Sequence, residues 1–335
     1  MPHPVPPPLE VMHRIAVFRA LQLGDLLVAV PALRALRRAA PRAEITLVGL
    51  PWAAAFVERF SHLVDDFIPF PGHPALPERE PDLEAWPAFL SATRNRTFEL
   101  AVQLHGSGRV ANPLVALFGA RHTAAFVEPG AWNPPGLIVS YPDIGPEVDR
   151  LLALVSALGA DAGDASLEFP VRASDHAEID AILPAATRPL VVIHPGARAR
   201  SRRWPARHFA AVADALAARG LDVVLTGTEP ERPLVRAVAA NMAAPPLDLA
   251  GRTSLGGLAA LLTRARLLVS NDTGVSHLAA ALGTPSIVLF SHSDPSRWAS
   301  VDRRRHVVVD ARLGVEPAPV IAAALAQLRA EAVYA

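Results

Sequence analysis

Four short stretches place residues that could do chemistry beside a glycine or a helix start. The first is Arg19-Ala20-Leu21-Gln22-Leu23-Gly24-Asp25-Leu26, where a carboxylate directly follows a glycine. Asp25 there can cap a helix by accepting an orphan amide, or take a proton from a hydroxyl as a general base. The second, His194-Pro195-Gly196-Ala197-Arg198, runs on to Arg200, Arg202, Arg203 and Trp204. Gly196 frees the backbone, and forked guanidinium donors match phosphate oxygens; the alternatives are a solvated basic loop and a packed strand-end His194. The third, Thr226-Gly227-Thr228-Glu229-Pro230-Glu231-Arg232, offers Glu229 and Glu231. These carboxylates hold ribose hydroxyls, or simply sit at a helix N-terminus where the dipole favours them. The fourth is Ser270-Asn271-Asp272-Thr273-Gly274-Val275-Ser276-His277, small polar residues leading straight into an Ala/Leu helix. Free amides at that helix start form an anion site, whereas Asp272 or Thr273 can equally act as its cap and His277 as a packed side chain.

What is missing narrows the chemistry further. The chain has no Cys, which removes disulfides, thiolate nucleophiles and Cys-ligated metals. It also has no Lys, so Schiff-base chemistry and a Walker A lysine are out. Gly106-Ser107-Gly108 begins like a dinucleotide fingerprint, but Ala111 stands at the third glycine position and the match fails. The twelve His show no metal-ligand spacing, so chemistry without a metal or other cofactor is expected. With 32 basic and 32 acidic residues the formal net charge is zero, which argues against a protein that coats nucleic acid.

These residues need elements to position them. The 335 residues predict about two domains at ~100–200 residues each, and 51% hydrophobic content supplies cores for both. Met1 to Met12 is Pro-rich without the apolar run of a signal peptide and reads as a disordered tail. Strands are expected over Arg14–Arg19, Glu44–Leu50, Phe67–Phe70, Glu99–Leu104 and Thr123–Val127, with helices over Asp25–Ala39, Trp52–Phe60 and Pro146–Gly159. Gly72 to Pro87 reads as a surface loop, and Pro31 is expected to kink the first helix. A weakly patterned segment, Asp161 to Arg188, separates the halves.

The rhythm then restarts, with strands at Leu190–His194, Asp222–Thr226, Leu247–Leu249, Leu267–Ser270 and Ser286–Phe290, and an edge strand at His306–Asp310. Helices His208–Arg219, Glu231–Asn241, Leu255–Arg264 and Val275–Leu282 intervene, and Val320–Ala332 follows. Strands apolar on both faces, alternating with helices, imply parallel sheets covered on both sides. The fold class is therefore α/β, two Rossmann-like domains whose strand C-termini face a shared cleft. The expected division is a tail at 1–13, domains at 14–170 and 189–318 joined by a linker at 171–188, and a C-terminal helix at 319–335. Asn271, Asp272 and Pro285 interrupt the best candidate for a membrane span, and a cytoplasmic location is expected.

Together these motifs resemble glycosyltransferase family 9, which includes the ADP-heptose:lipopolysaccharide heptosyltransferases. The likeness runs from Arg14 to about Phe290 and rests on Gly24-Asp25 with Pro31, His194–Pro205, Gly251-Arg252-Thr253-Ser254-Leu255, and Asn271-Asp272-Thr273-Gly274 with His277. It implies a GT-B fold and inverting, metal-independent transfer of a sugar, heptose from ADP-heptose, to a glycan or lipid-linked glycan hydroxyl. It implies that Asp25 is the base, that Gly196, Asp272, Thr273, Gly274 and His277 belong to the donor site, and that Glu231 contacts the ribose. Arg202 or Arg203 stands where many members carry Lys, and Leu104-His105-Gly106 stands where Leu-Gln-Gly is common. Gly24, His105 and Arg109 fall on the acceptor side. A basic face formed by Arg34, Arg37, Arg38 and Arg42 either touches an anionic inner-membrane surface or is merely solvated. Two other readings share these motifs: a nucleotide-sugar binding protein without turnover, and another GT-B enzyme such as a sugar-nucleotide epimerase.

Overall fold

The computed structural model describes residues 6–183 and 188–334, which divide between Ser166 and Leu167 into two units. The first unit is built on strands β1 (Arg14–Phe18), β2 (Glu44–Gly49), β3 (Asp66–Pro69), β4 (Leu100–Gln103), β5 (His122–Val127) and β6 (Gly136–Ser140). Its helices are α1 (Leu23–Ala39), α2 (Ala54–Arg59), α3 (Trp86–Asn95), α4 (Ala111–Ala116) and α5 (Glu147–Ala157). The six strands form one sheet in the order β3-β2-β1-β4-β5-β6, every pair parallel. Residues 15–18 of β1 are buried on both faces because helices cover both sides, which is why the strand reads as a continuous apolar run. Phe18, Phe70, Phe89 and Phe118 interlock edge to face on one side of the sheet, with ring centroids 5.2 to 5.8 Å apart.

The second unit repeats the plan. It contains α6 (Ala173–Ile182), β7 (Leu190–His194), α7 (Ala206–Ala217), β8 (Asp222–Leu225), α8 (Arg232–Ala240), β9 (Leu247–Asp248), α9 (Leu255–Arg264) and β10 (Ala265–Asn271). The chain continues through α10 (Gly274–Leu282), β11 (Ser286–Phe290), α11 (Pro295–Trp298), β12 (His306–Asp310) and α12 (Pro317–Tyr334). Its parallel sheet runs β12-β11-β10-β7-β8-β9. Counted from its own first strand, that order matches the first sheet. In each unit the strand order reverses beside the first strand, between β1 and β4 and again between β7 and β10. Ligands of open α/β sheets bind beyond the carboxyl ends of the strands at that reversal.

Several expectations need correction. Residues 171–188 are not a plain linker: α6 occupies Ala173–Ile182 and packs on α9 within the second unit. Ser254 explains the attachment, donating its N–H and O–H to the two Glu178 carboxylate oxygens at 2.6 and 2.5 Å. The tail expected at 1–13 is ordered over its described part, with a turn of 3-10 helix at Leu9–Val11 and both Leu9 and Met12 buried; residues 1–5 lie outside the described residues. Helix α3 begins inside the loop expected at Gly72–Pro87, and β6 and α4 were not anticipated. The last helix starts at Pro317, earlier than expected, because proline is accommodated in a first turn. Among the described residues no helix is long and apolar enough to cross a membrane.

Candidate active site

In the first unit the chain leaves β1 at Arg19 and enters α1, while Leu104 and His105 leave the neighbouring β4. Asp25 is the third residue of α1 and its side chain is 22% exposed. Its Oδ2 accepts the Gln22 N–H at 3.3 Å, closing a capping box, so the capping role is real. That leaves Oδ1 for other work. Gly24 is buried in the first turn of the same helix. Arg19, which the sequence alone assigned no role, is fully buried behind this carboxylate. Its Nε donates to the Asp25 main-chain oxygen at 2.7 Å and its Nη1 donates to the Leu104 carbonyl. Its Nη2 lies 4.0 Å from Asp25 Oδ1 and 3.6 Å from Glu147 Oε1.

His105 adjoins this group. Its Nδ1 accepts the Ala20 N–H at 3.1 Å, which leaves the ring proton on Nε2, and its ring stacks on Phe18 at 5.0 Å. Burial, and then the positive charge of Arg19, push its pKa down to about 3, so the ring is neutral at ordinary pH. Its main-chain N–H donates to Gln103 Oε1 at 2.6 Å, and Gln103 in turn donates to Asn112 at 2.8 Å. Asn112 finishes the chain by donating to the Phe126 carbonyl at 2.9 Å. Gly108, at φ +91°, is required here because a side chain would overlap the Asn112 amide. Arg109 is different: it is mostly exposed and ion-paired with Glu128.

The corresponding place in the second unit is built from three loops. Asn271 ends β10 fully buried and joins two of them. Its Oδ1 accepts the Trp204 N–H at 3.0 Å, and its Nδ2 donates to the Pro195 carbonyl at 2.8 Å. Arg203 donates from Nε to the Ala197 carbonyl at 2.8 Å, fastening the same loop to itself. Arg202 instead reaches toward Asp272, with Nη1 3.6 Å from Oδ2 and a side chain 40% exposed. Asp272 is almost wholly buried and also accepts a hydrogen bond from Ser293 Oγ, with His277 Nε2 3.9 Å from its other oxygen. Thr273 takes the N-cap position of α10, and Gly274 opens the helix. So the cap is Thr273, while Asp272 turns to side chains.

The third loop brings Glu231. Its Oε2 accepts both the N–H and the O–H of Thr228, at 2.9 and 2.8 Å. This holds the carboxylate against Gly196, where any Cβ would overlap it. A larger residue at 196 would push the Glu231 carboxylate out of this position. His194 is buried beneath, its Nδ1 3.1 Å from Thr226 Oγ1; burial lowers its pKa, against the opposing pull of Glu231. The structure thus brings Gly196, Arg202, Arg203 and Glu231 together with Asp272, Thr273, Gly274 and His277.

Of the four arginines expected on a basic face, Arg34 and Arg37 are drawn into the first unit, while Arg38 and Arg42 stay exposed. Arg34 is buried and bound to Asp164 at 2.9 Å and to the Ser166 carbonyl at 2.8 Å. Arg37 is held by Asp65 and by the Ala43 carbonyl, and Arg42 reaches the Glu10 carbonyl at 3.3 Å. These guanidinium groups spend their donors on their own chain.

Comparison with known proteins places this architecture. The model of glycosyltransferase family 9 (heptosyltransferase) matches residues 88–318. The lipopolysaccharide heptosyltransferase 3 of Escherichia coli is 34% identical over 166 residues, covering 46% of this chain and 47% of that protein. The lipopolysaccharide heptosyltransferase 2 of Salmonella typhimurium is 32% identical over 129 residues, 37% of each. The chain thus spans about half, or less, of the length of the curated relatives it matches. Among solved structures, a family 9 glycosyltransferase of Veillonella parvula superposes with a TM-score of 0.81 at 22% identity, over 94% of this chain and 97% of that one. ADP-heptose lipopolysaccharide heptosyltransferase II of E. coli gives 0.74 at 21% identity, over 96% and 99%. E. coli heptosyltransferase WaaC with ADP gives 0.66 at 22% identity, over 95% and 99%. These structural likenesses establish a GT-B fold, and the family match over 88–318 establishes the lineage. The chain belongs to glycosyltransferase family 9.

Proposed function

We propose that this protein transfers a sugar, heptose from ADP-heptose, to a hydroxyl of a lipopolysaccharide-type acceptor, with inversion and without a metal. The observation that carries the reading is the second-unit cluster, where the Glu231 carboxylate rests on Gly196 beside Arg202 and the start of α10. A carboxylate suits ribose hydroxyls, while a half-exposed guanidinium and helix-start amides suit a diphosphate. Two of the structural relatives are named for exactly such ligands, WaaC with ADP and WaaC with ADP-2-deoxy-2-fluoro heptose.

In this reading the acceptor O–H bond breaks and its proton passes to Asp25 Oδ1, the oxygen not used by Gln22. The freed electron pair forms the bond to the anomeric carbon, and the bond to the diphosphate breaks with its electrons leaving on ADP. One displacement from the opposite face inverts the carbon. Arg202 and the amides around Thr273 and Gly274 meet the charge that develops on the leaving group. Arg203 holds the loop, so Arg202 takes the place of the family lysine. His105, neutral with a proton on Nε2, is a hydrogen-bond donor for the acceptor sugar.

A thermal-shift panel of ADP-, UDP-, GDP- and CDP-sugars tests the donor assignment, since a ligand at 100 times its Kd adds about 2.7 kcal/mol to stability. The ADP-sugar should stabilise most, and O-deacylated lipopolysaccharide should then trigger ADP release. Stabilisation by another nucleotide base alone contradicts the donor, and ADP-sugar loss without any acceptor contradicts transfer.

A further inference from the structure

Among the described residues Arg19 is the largest fully buried side chain, and it is a cation. Two of its nitrogens are engaged by main-chain carbonyls, at Asp25 and Leu104. The third is not: among the described residues Nη2 finds no hydrogen-bond acceptor. It points between two carboxylates, Asp25 at 4.0 Å and Glu147 at 3.6 Å. Glu147 opens α5, which packs along α1, and its side chain is only 4% exposed. A buried charged donor without an acceptor is costly, so a fold that keeps one needs a use for it.

We propose that Arg19 and Glu147 are a positioning couple for Asp25, Arg19 aiming the carboxylate from behind and Glu147 balancing the guanidinium when Asp25 becomes neutral. The inference rests on the base role of Asp25 proposed above. During transfer Asp25 goes from one negative charge to none. If Arg19 faced Asp25 alone, that step would leave a buried cation uncompensated, which strongly opposes proton uptake. With Glu147 on its other side the guanidinium keeps a counter-charge throughout, and the three groups go from one net negative charge to none. The fork matters as well as the charge, because Nε and Nη1 fix the guanidinium plane and thereby the direction of Nη2.

Three further titratable or charged groups lie near this cluster: Glu78, whose main-chain oxygen accepts Gln22 Nε2 at 3.5 Å, His105 and Arg150. His105 stays neutral through the working range, held there by its burial and by Arg19 itself. Arg150, one turn along α5, is committed to the Tyr141 hydroxyl at 3.2 Å and the Asp143 carbonyl at 2.9 Å. At the start of α1 the N-cap Gln22 N–H donates to the Asp25 carboxylate.

The test is kcat/KM for O-deacylated lipopolysaccharide against pH, with ADP-heptose as donor, in the wild type and in Glu147→Gln, Glu147→Asp, Arg19→Met and Arg19→Lys. Thermal unfolding and donor KM serve as controls. Glu147→Gln leaves the cation unopposed, so the acid limb moves to lower pH and the plateau falls about tenfold, a fraction of what a general base contributes. Arg19→Met leaves only a negative neighbour, so the limb moves to higher pH and the plateau falls by about 10²-fold. Arg19→Lys and Glu147→Asp keep the charges, so their limbs stay near the wild type while the lost geometry lowers the plateau. Opposite displacements at unchanged donor KM are something a packing role does not produce. The carboxyl-carbon resonance of Asp25, identified by its loss in Asp25→Asn, should titrate in the same directions without substrate. Coincident limbs and titrations for the wild type and Glu147→Gln overturn the couple, as do displacements of one sign in both. A wild type without an acid limb, or full turnover in Asp25→Asn, overturns the base reading instead.

Discussion

The two units share one strand order, yet the places where that order reverses are furnished in opposite ways. Beyond β1 and β4 lie buried charges, with Arg19 between Asp25 and Glu147, and a neutral histidine beside them. Beyond β7 and β10 the loops are tied by a buried amide, Asn271, the buried charge is a carboxylate, Asp272, and its cation, Arg202, is half exposed. A partly buried carboxylate with a fixed cation behind it is suited to accepting a proton. Amides and a reachable guanidinium are suited to receiving a charged ligand from water. On the reading proposed above, the same scaffold serves a proton-transfer task in one copy and an anion-binding task in the other.

Substitutions can break that contrast, beginning with the largest expected effect. Asn271→Ala strips partners from a buried N–H and a buried carbonyl, at about 1–3 kcal/mol each. It should lower the melting temperature by several degrees and abolish the thermal shift given by the ADP-sugar; unchanged melting would remove Asn271 as organiser of the second site. Next come two of the buried histidines, His105 in the first unit and His194 in the second. Each has a folded-state pKa below the ordinary value near 6.5, so the unfolded chain binds more protons once the pH drops under that value. Stability is therefore present above about pH 6.5 and is lost as pH falls toward the folded pKa, by up to about 1.4 kcal/mol per pH unit for each residue. Melting curves at pH 7 and pH 5 should show this loss, and His105→Gln should reduce it. An equal loss in the variant would mean that other groups drive the acid sensitivity.

Arg202→Met against Arg203→Met separates ligand from loop. The first should cut turnover about tenfold to a hundredfold with little change in melting, about 1.4–2.8 kcal/mol of transition-state stabilisation. The second should show the reverse balance, because its Nε holds the Ala197 carbonyl. Equal effects on turnover would erase the distinction. The smallest effect is expected at Arg109, whose exposed pair with Glu128 is worth under about 1 kcal/mol. Arg109→Ala should melt within a degree or two of the wild type, and a raised acceptor KM in it would place Arg109 on the acceptor path.

Much of this was legible in the residues. Strands apolar on both faces, such as Ile15 to Phe18 and Leu190 to His194, announced two parallel sheets, and glycines beside polar residues marked the two candidate sites. Helix α6 was not legible because it buries so little: of its apolar side chains only Ile179 is fully covered, and hydrogen bonds to α9 hold the rest. Strand β6 escaped for a similar reason, being a half-buried edge strand just after Pro134 and Pro135. Arg19 stood in plain view at the end of an apolar strand, and a charge in that position is itself a signal. Its partner Glu147 could not be found that way, since more than a hundred residues separate them and only the packing of α5 on α1 brings them together.

In the function proposed above, Asp25 accepts the proton in a sugar transfer whose donor the second unit holds. Acceptor-dependent ADP release, measured side by side for the wild type and Asp25→Asn, tests it most directly. The account predicts a fall of about 10²–10⁴-fold with the ADP-sugar thermal shift preserved. Near-normal release in Asp25→Asn would contradict it.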